Sequence, residues 1–284
     1  MTHRIERMAE IAGSFDAIVF DQWGVLHDGS APYSGAVEAL RNLSKQASGP
    51  KLGVLSNSGK RADLNLARIS AMGFSEIRFD CVMTSGEALW LDISTGHLTA
   101  GRSLFAITRD PDDADDWATG LDIELAHTVD AAEAILLMGI PDDGATPEQA
   151  EALDAAVVRG LPIYCSNPDV TSPRAGGALV TSPGALAHEA AKRGVKVVFY
   201  GKPHGPVFTS ISDALAVAPE RTLIVGDSLH HDIAGGHAAG WATCLIAGGI
   251  HATDLSSDAM TADLKALTEK TGTPQPTYVM ETLR

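Results

Sequence analysis

Residues 15–29, which read FDAIVFDQWGVLHDG, decide the predicted fold. The first six form an apolar run rich in β-branched and aromatic side chains, and a polar turn follows soon after them. Such a run is too short for a helix and predicts a buried central strand. Asp21 ends the run, at the edge of the sheet where ligands bind in open α/β folds. A strand-end aspartate is a candidate nucleophile or metal ligand, although a lone one is more often a turn former or helix cap.

The composition is that of an acidic chain of 284 residues with a formal net charge of −15. This length allows one large or two medium domains, and the charge argues against nucleic acid or an anionic membrane as the main partner. No uncharged apolar run approaches the length of a membrane span, and no targeting segment is visible. Cys81, Cys165 and Cys244 lie in apolar runs without a CxxC spacing, which predicts reduced core residues in a cytoplasmic protein.

Apolar runs and stripes of helical period alternate along the chain, which predicts a doubly wound parallel sheet of the α/β class. After the first strand, further strands are predicted at 51–55, 81–83, 104–108, 134–140, 161–164, 196–200, 222–225 and 242–246. A turn at Gly248 and Gly249 is followed by a polar tail.

The alternation also suggests how the chain divides into domains. A βαβαβ unit is complete by residue 86, and the pattern then starts afresh, so we predict a core of residues 1–86 and 184–284 with an inserted α/β cap at 87–183. Within the cap, Thr146, Pro147 and Gln149 predict the start of a helix. The aspartates between 110 and 116 resemble a metal cluster, but we interpret them as a solvated loop and helix start.

Polar groups follow four of the predicted strands, namely Asp21, Ser56 with Asn57, Lys202, and Asp227 with Asp232. If all four strands are parallel in one sheet, these groups converge on its carboxyl edge. Two carboxylates there would hold a hard cation such as Mg²⁺, while a lysine, a hydroxyl and backbone N–H groups would bind a phosphate. This set of groups is suited to phosphoryl transfer.

The same residues resemble the motifs of the haloacid dehalogenase-like superfamily of aspartyl-phosphate-forming hydrolases, and the resemblance covers nearly the whole chain. The matching segments are DQWGV from Asp21, SN from Ser56, GKP around Lys202, and GDSLHHD from Gly226. The insertion between the second and third motifs is similar to the class IIA branch, whose α/β cap closes over a Rossmann-like core. The resemblance implies a phosphatase acting on a small phosphorylated metabolite.

Carried over to this sequence, the resemblance implies that Asp21 attacks phosphorus and forms an acyl phosphate. It implies that Asp21 and Asp227 bind Mg²⁺ together with the backbone carbonyl of Trp23, and that Asp232 supports the metal's shell. A cation at this position would offset the repulsion between the attacking carboxylate and an anionic phosphate.

The resemblance implies further that Ser56, Asn57 and Lys202 bind the phosphoryl oxygens. The segment CSNPD in the cap resembles the loop that sets substrate specificity in the branch, and the residues that we expect to contact the substrate are Asn167 and Asp169. Neither a nucleic acid nor a membrane is expected as a partner, and the sequence leaves open whether the chain forms a homo-oligomer.

One position departs from the family pattern. Phosphatases of the family carry a second aspartate two residues after the nucleophile, which protonates the leaving alcohol, and here that position is Trp23. An indole has no proton that titrates in the useful range. The candidates for a substitute acid or base are His27 and His204, followed by Asp28, His230 and His231.

Two hypotheses from different classes follow. The first is a Mg²⁺-dependent phosphatase in which Asp21 is the nucleophile and another group, or water, replaces the missing aspartate. The second is a phosphometabolite-binding or regulatory protein that keeps the pocket with little or no turnover. Asp21, Lys202 and Asp227 favour the first hypothesis, whereas Trp23 favours the second.

Overall fold

The computed structural model describes residues 2–46, 48–99, 101–173 and 178–284. In these residues the strands are β1 (His3–Arg4), β2 (Ala17–Phe20), β3 (Lys51–Ser56), β4 (Cys81–Thr84), β5 (Ser103–Ile107), β6 (Glu124–Leu125), β7 (Ala134–Leu137), β8 (Ile163–Cys165), β9 (Thr171–Pro173), β10 (Leu179–Thr181), β11 (Val197–Phe199), β12 (Thr222–Gly226), β13 (Ala242–Ile246) and β14 (Tyr278–Met280). The α-helices are α1 (Ala36–Ser44), α2 (Ala62–Ile69), α3 (Ser85–Ser94), α4 (Asp113–Ala118), α5 (Pro147–Arg159), α6 (Pro183–Lys192), α7 (Gly205–Leu215), α8 (Ala234–Ala238) and α9 (Met260–Thr271).

The chain divides into two compact units. The first unit consists of residues 1–56, 66–83 and 208–284, and the second consists of residues 57–65 and 84–207. The first contains a seven-stranded sheet in the order β1-β14-β13-β12-β2-β3-β4. Its pairings of β2 with β3 and with β12 are parallel, as is the pairing of β12 with β13. The sheet confirms the predicted α/β class.

Strand β2 lies in the interior of the sheet of the first unit, between β12 and β3, because its sequence, AIVF, leaves no polar face. All four of its residues are buried, which is the pattern of a parallel strand covered on both sides. Ile18 and Phe20 belong to a large apolar cluster that also contains Leu40 and Leu43 from α1. Burial of such side chains contributes about 1.5–3 kcal/mol each, so the strand is a strong anchor for the residue that follows it.

The second unit has a five-stranded sheet in the order β11-β8-β7-β5-β6, and the antiparallel pair β9 and β10 also lies in this unit. The neighbours in the five-stranded sheet are all parallel. Helix α5 begins as predicted, because the Thr146 hydroxyl accepts from the Gln149 amide at 3.2 Å and the Gln149 side chain accepts from the Thr146 amide at 3.1 Å. The acidic run begins α4, as predicted, and Asp113 pairs with Lys60 at 2.8 Å.

The predicted cap, residues 87–183, differs from the second unit at both ends. The strand expected at 196–200 was assigned to the core, but β11 pairs with β8, with Val197 opposite Ile163 and Phe199 opposite Cys165. Val197 and Phe199 also pack against the apolar cluster of the second unit. The local pattern of a strand indicates that it is buried but does not indicate which sheet it joins.

The prediction of a polar tail after Gly249 was wrong. Helix α9 and strand β14 lie in this stretch, and β14 pairs in parallel with β13. Leu264 and Val279 are buried in a second apolar cluster of the first unit. Across the described parts of the chain, no helix combines the length and apolarity needed to cross a membrane.

The three cysteines are free thiols, and Cys165 and Cys244 are buried as predicted. Burial raises the pKa of Cys165 to about 12 and raises that of Cys244 as well. Both side chains are therefore protonated and unreactive at neutral pH. Cys81 is partly exposed and begins β4.

Candidate active site

The two acids of the predicted centre follow neighbouring strands of the first unit. Asp21 comes directly after β2 and Asp227 directly after β12, and these strands pair in register, with Phe20 opposite Val225. The Asp21 amide donates to the Val225 carbonyl at 2.9 Å, which extends the ladder to Asp21 itself. Parallel pairing therefore places both acids at one edge of the sheet, and Ser56, the last residue of β3, ends the next strand.

Asp21, Asp227 and Asp232 form a carboxylate cluster. One carboxylate oxygen from each lies within 4.8 Å of the other two. Asp227 is 4% exposed and Asp232 is fully buried, while Asp21 is partly exposed. Like charges held so close in a buried place repel each other unless a cation or proton compensates them. The cluster therefore has the charge and the oxygen donors that a hard divalent cation requires.

Two glycines, Gly24 and Gly249, lie against the side chain of Asp227. Gly24 has a φ of +77°, and a Cβ built on it would lie 1.8 Å from the Asp227 Oδ2 atom. A Cβ on Gly249 would lie 2.3 Å from the Asp227 Cβ atom. The Ile250 amide donates to Asp227 Oδ2 at 3.0 Å, which fixes the carboxylate in this cradle. Any other residue at Gly24 would displace the acid, so this glycine is part of the site.

Asp232 is held in a similar way. The Ser228 amide donates to Asp232 Oδ2 at 3.1 Å, and a Cβ on Gly226 would lie 2.0 Å from the Asp232 Cγ atom. The Asp232 carboxylate therefore lies against the end of β12. Only glycine fits at position 226, because any side chain there would collide with this carboxylate. A single π-helical turn, Leu229–Ile233, carries Asp232 back towards Asp227. This turn explains the spacing of the two acids in the sequence.

Trp23 packs against residues of its own loop and of α2. Its ring makes an edge contact with His27 at a centroid distance of 5.5 Å, and the Arg68 guanidinium lies 5.5 Å from the ring centroid. A Cβ on Gly29 would lie 2.0 Å from the Trp23 ring, and Arg68 also donates to the Gly29 carbonyl at 3.3 Å. The indole therefore stabilises the turn of the loop by apolar and cation–π contacts.

His27 is fully buried beneath this turn. The Gly29 amide donates to its Nδ1 atom at 3.0 Å, so the neutral ring carries its proton on Nε2, and Nε2 is buried without a hydrogen-bond partner in the described residues. Burial, followed by the charge of Arg68, lowers the pKa of His27 from 6.5 to about 4. A ring that is neutral at pH 7 has no extra proton to give, which argues against His27 as the substitute acid.

The depressed pKa of His27 leads to a prediction about stability. Well above pH 6.5 the ring is neutral in both states, and between pH 6.5 and about 4 the unfolded state gains the proton while the folded state does not yet do so. Acidification to about pH 5 should therefore lower the free energy of unfolding by about 2 kcal/mol through this residue. Urea unfolding at about pH 7.5 and about pH 5 measures the loss.

The matched control for this prediction is His27→Asn, which keeps an acceptor for the Gly29 amide but does not titrate. We expect the variant to be less stable at neutral pH because packing is lost, yet to lose less stability on acidification. An identical pH dependence in both proteins would assign the acid sensitivity to other groups.

Several predicted site residues lie in the second unit. Lys202 follows β11 and is 2% exposed. From the sequence, its strand was expected to belong to the same sheet as the strand before Asp21, but β11 belongs to the five-stranded sheet of the second unit. The Asn57 side chain bonds to both the amide and the carbonyl of Lys202, at 2.7 and 3.1 Å, and donates to Asp169 Oδ1 at 2.7 Å. Asn167 Oδ1 accepts from the Asp169 amide at 3.2 Å.

His204 is held in an aromatic stack of the second unit. Its ring lies parallel to Phe199 at 4.8 Å, and Phe199 stacks in turn on His188 at 4.6 Å. This packing fixes the orientation of the His204 ring, which stays a candidate for the substitute acid or base. His230 is exposed, and the His231 amide donates to the Ser228 hydroxyl at 3.2 Å.

The contact of Ile250 with Asp227 was missed in the sequence, where Gly248 and Gly249 were interpreted only as a turn. Two adjacent glycines soon after β13, a neighbour of β12, could have signalled a close approach to the carboxyl edge. The role of Asn57 was also missed, because a side chain that binds a distant backbone segment leaves no local pattern.

Comparison with known proteins agrees with this geometry. A family model described as haloacid dehalogenase-like hydrolase matches residues 15–240, and a HAD-hydrolase-like model matches residues 199–284. Chronophin from Mus musculus is 26% identical over 265 residues, covering 92% of this chain and 90% of that protein.

Solved structures give the same answer. A haloacid dehalogenase-like hydrolase from Brucella suis 1330 is 29% identical with a TM-score of 0.80, covering 99% of this chain and 100% of that one. A glycerol phosphate phosphatase from Mycobacterium tuberculosis, solved in complex with magnesium, has a TM-score of 0.68 at 21% identity and covers 84% of this chain and 70% of that one. The second likeness is one of fold alone. Because the first family model spans most of the chain and includes the strand ends that carry Asp21 and Asp227, the chain belongs to the haloacid dehalogenase-like hydrolases.

Proposed function

We propose that this hydrolase is a Mg²⁺-dependent phosphatase that cleaves a small phosphorylated metabolite through an aspartyl phosphate on Asp21. The observation that carries the proposal is the cluster of Asp21, Asp227 and Asp232, whose carboxylate oxygens lie within 4.8 Å of one another. Three carboxylates at one point are unfavourable for a neutral or apolar ligand but suit a cation that also binds a phosphate.

In the proposed reaction, a carboxylate oxygen of Asp21 attacks phosphorus and the bond from phosphorus to the ester oxygen breaks. The leaving oxygen takes a proton from water or from a side chain, and the alcohol departs. Water then attacks the phosphorus of the acyl phosphate, the bond to Asp21 breaks, and inorganic phosphate and the free carboxylate result.

The metal would be held by Asp21, Asp227 and the backbone carbonyl of Trp23, with Asp232 supporting its shell. When bound, it supplies positive charge that offsets the repulsion between the Asp21 carboxylate and the phosphoryl oxygens. The contacts of Asp227 support this assignment, since the Ile250 amide and Gly24 hold its carboxylate in a fixed position.

The phosphoryl group would be bound by the Ser56 hydroxyl, the Lys202 ammonium and the backbone N–H of Asn57. Among the polar groups of the cap loop, Asn167 and Asp169 are proposed to take part in substrate selection. The name of one relative supports a phosphorylated substrate, because a protein from Mycobacterium tuberculosis that is 27% identical to this chain is a D-glycerol 3-phosphate phosphatase. Three free cysteines support a cytoplasmic location.

The test of the proposed function is phosphate release from a panel of phosphorylated metabolites, with Mg²⁺ and with a chelator. Release that needs Mg²⁺ is the expected result. A second function, phosphometabolite binding without turnover, is favoured by the packing of Trp23 at the place of the usual acid. Tight binding by calorimetry without phosphate release from any ester would support that second function.

A prediction about the metal centres on Asp227. Asp227→Asn should weaken Mg²⁺ binding by at least about tenfold, because an anionic ligand becomes a neutral one, while the amide oxygen still accepts from Ile250. Calorimetric titration with Mg²⁺ measures the change. Asp254→Asn, which alters a half-exposed aspartate of the same unit, is the control and should bind Mg²⁺ as the wild type does. Equal Mg²⁺ affinity in all three proteins would refute the assignment of Asp227.

A further inference from the structure

The side chain of Asn57 has no hydrogen-bonding N–H group left for a substrate. Its Oδ1 atom accepts from the Lys202 amide at 2.7 Å, and its Nδ2 atom donates to the Lys202 carbonyl at 3.1 Å and to Asp169 Oδ1 at 2.7 Å. A carboxamide has two N–H donors, and both are used here. Asn57 is 9% exposed, so replacing these partners by water would require the site to open.

The two hydrogen bonds between the Asn57 side chain and the Lys202 backbone resemble those that a neighbouring β-strand would make. One side chain binds both the N–H and the C=O of the same residue, so it constrains the position of the Lys202 backbone and also its rotation. The direction in which a lysine side chain leaves its backbone follows from that rotation. Asn57 therefore restricts where the Lys202 ammonium can lie.

The third bond of Asn57 leads to the cap loop. Asp169 accepts it, and the Asn167 side chain in turn accepts from the Asp169 amide. A separate contact brings the same loop to the residue before Lys202, because a Cβ on Gly201, which has a φ of +121°, would lie 2.7 Å from the Pro168 ring. The loop is thus joined to the segment of Lys202 by hydrogen bonds on one side and by close packing on the other.

We infer that Asn57 is a positioning residue that couples the cap loop at Asn167 and Asp169 to Lys202. In this arrangement the side chain of Asn57 is not a phosphate ligand, and Asp169 acts through Asn57 on the lysine. The inference rests on the proposed function in one respect, namely that Lys202 binds the phosphoryl group. It predicts that loss of the acceptor at Asp169 alters phosphate binding through Asn57.

A swap of donor and acceptor tests the coupling. Asn57→Asp keeps an acceptor for the Lys202 amide but sets a carboxylate against both the Asp169 carboxylate and the Lys202 carbonyl, and it should lower the affinity for inorganic phosphate by about 10- to 100-fold. Asp169→Asn alone keeps an acceptor for Asn57 and should change the affinity less than about threefold. The double variant restores a donor opposite an acceptor at position 169 but not at the Lys202 carbonyl, so it should recover about three- to tenfold of the loss.

The readouts are the affinity for inorganic phosphate in the presence of Mg²⁺, by calorimetry, and the separate kcat and KM values for an aryl phosphate. Recovery in the double variant, with KM following phosphate affinity, is the expected result. A double variant no better than Asn57→Asp would overturn the inference, because a direct phosphate ligand cannot be rescued at Asp169. If Asn57→Asp does not fold, Asp169→Ala replaces it, and unchanged phosphate affinity in that variant would also overturn the inference.

The two proposals fail separately. A wild-type protein that binds phosphate but releases none from any ester would contradict the proposed hydrolysis, while the swap would still be measured by phosphate affinity. Hydrolysis by the wild type without rescue in the double variant would leave the proposed function intact and overturn the coupling. No phosphate binding by the wild type would overturn the coupling, since Lys202 would then have no phosphoryl group to hold.

Discussion

Replacing Asp21 by asparagine should lower phosphate release from any phosphomonoester by at least about a thousandfold. The amide oxygen is a poor nucleophile, so no acyl phosphate forms, whereas the fold keeps its central strand because the Asp21 amide still donates to the Val225 carbonyl. Removal of one charge from three crowded carboxylates should leave the melting temperature of the metal-free protein unchanged or raised. Phosphate release and thermal unfolding measure the two effects.

The control for this prediction is Asp258→Asn, which changes an exposed aspartate of the first unit and should leave both quantities unchanged. Mass spectrometry after an acid quench gives an independent readout, because the wild type should carry a phosphoryl group on the peptide that contains Asp21. A variant that retains more than about a tenth of the wild-type rate would show that another group is the nucleophile.

The second large effect concerns Trp23 and the leaving group. If the missing aspartate is not replaced, an aryl phosphate should be hydrolysed about 10²- to 10⁴-fold faster than an alkyl phosphate, because a phenolate leaves without a proton. Hydrolysis of the aspartyl phosphate also lacks its base, so a burst of phenol release before a slower steady rate is expected. Rapid-mixing kinetics with both esters measures the ratio and the burst.

Trp23→Asp should restore alkyl phosphate hydrolysis in the same protein. The substitution also removes packing, because the indole fills the space between Gly29, His27 and Arg68, and its removal leaves a cavity. Trp23→Asn is the matched control, since it creates the same cavity without a titrating group. Equal wild-type rates of leaving-group release in the first turnover would show that another acid has taken the role, and His204→Gln would then be the first variant to examine.

The central elements of the fold were predictable because they depend on local sequence. The run that forms β2 is apolar on both faces, and a strand of that kind in an alternating chain has few places other than the middle of a parallel sheet. The start of α5 was predictable for the same reason, since Thr146, Pro147 and Gln149 satisfy the helix terminus within a few residues.

The placement of β11 could not be predicted in this way. Residues 196–200 have the pattern of a strand, but the choice between β8 and a strand of the first unit depends on how distant side chains such as Phe199 pack. Helix α9 and β14 were missed because Met260, Leu264 and Val279 are widely spaced among polar residues. Their apolar cluster forms only when the segments are brought together.

The site shows the same division. The order of the strand-end acids pointed to Asp21, Asp227 and Asp232, and the structure brings these three together. Sequence reasoning placed Asn57 among the phosphate-binding residues with Ser56, and nothing near it in the chain indicates that its side chain binds Lys202 and Asp169. Contacts across more than a hundred residues carry no local signal.

The burial of β2 also has a consequence for hydrogen exchange. Amide hydrogens in a strand with two parallel neighbours exchange with solvent mainly when the whole cooperative unit opens, and β2 lies between β3 and β12. The Asp21 amide belongs to this ladder through its bond to Val225, whereas the loop beyond it soon reaches the exposed Asp28 and Ser30. The slowly exchanging part of this strand therefore ends at the proposed nucleophile. The backbone that carries the attacking oxygen shares the rigidity of the sheet, while the loop after it can fluctuate on a faster timescale.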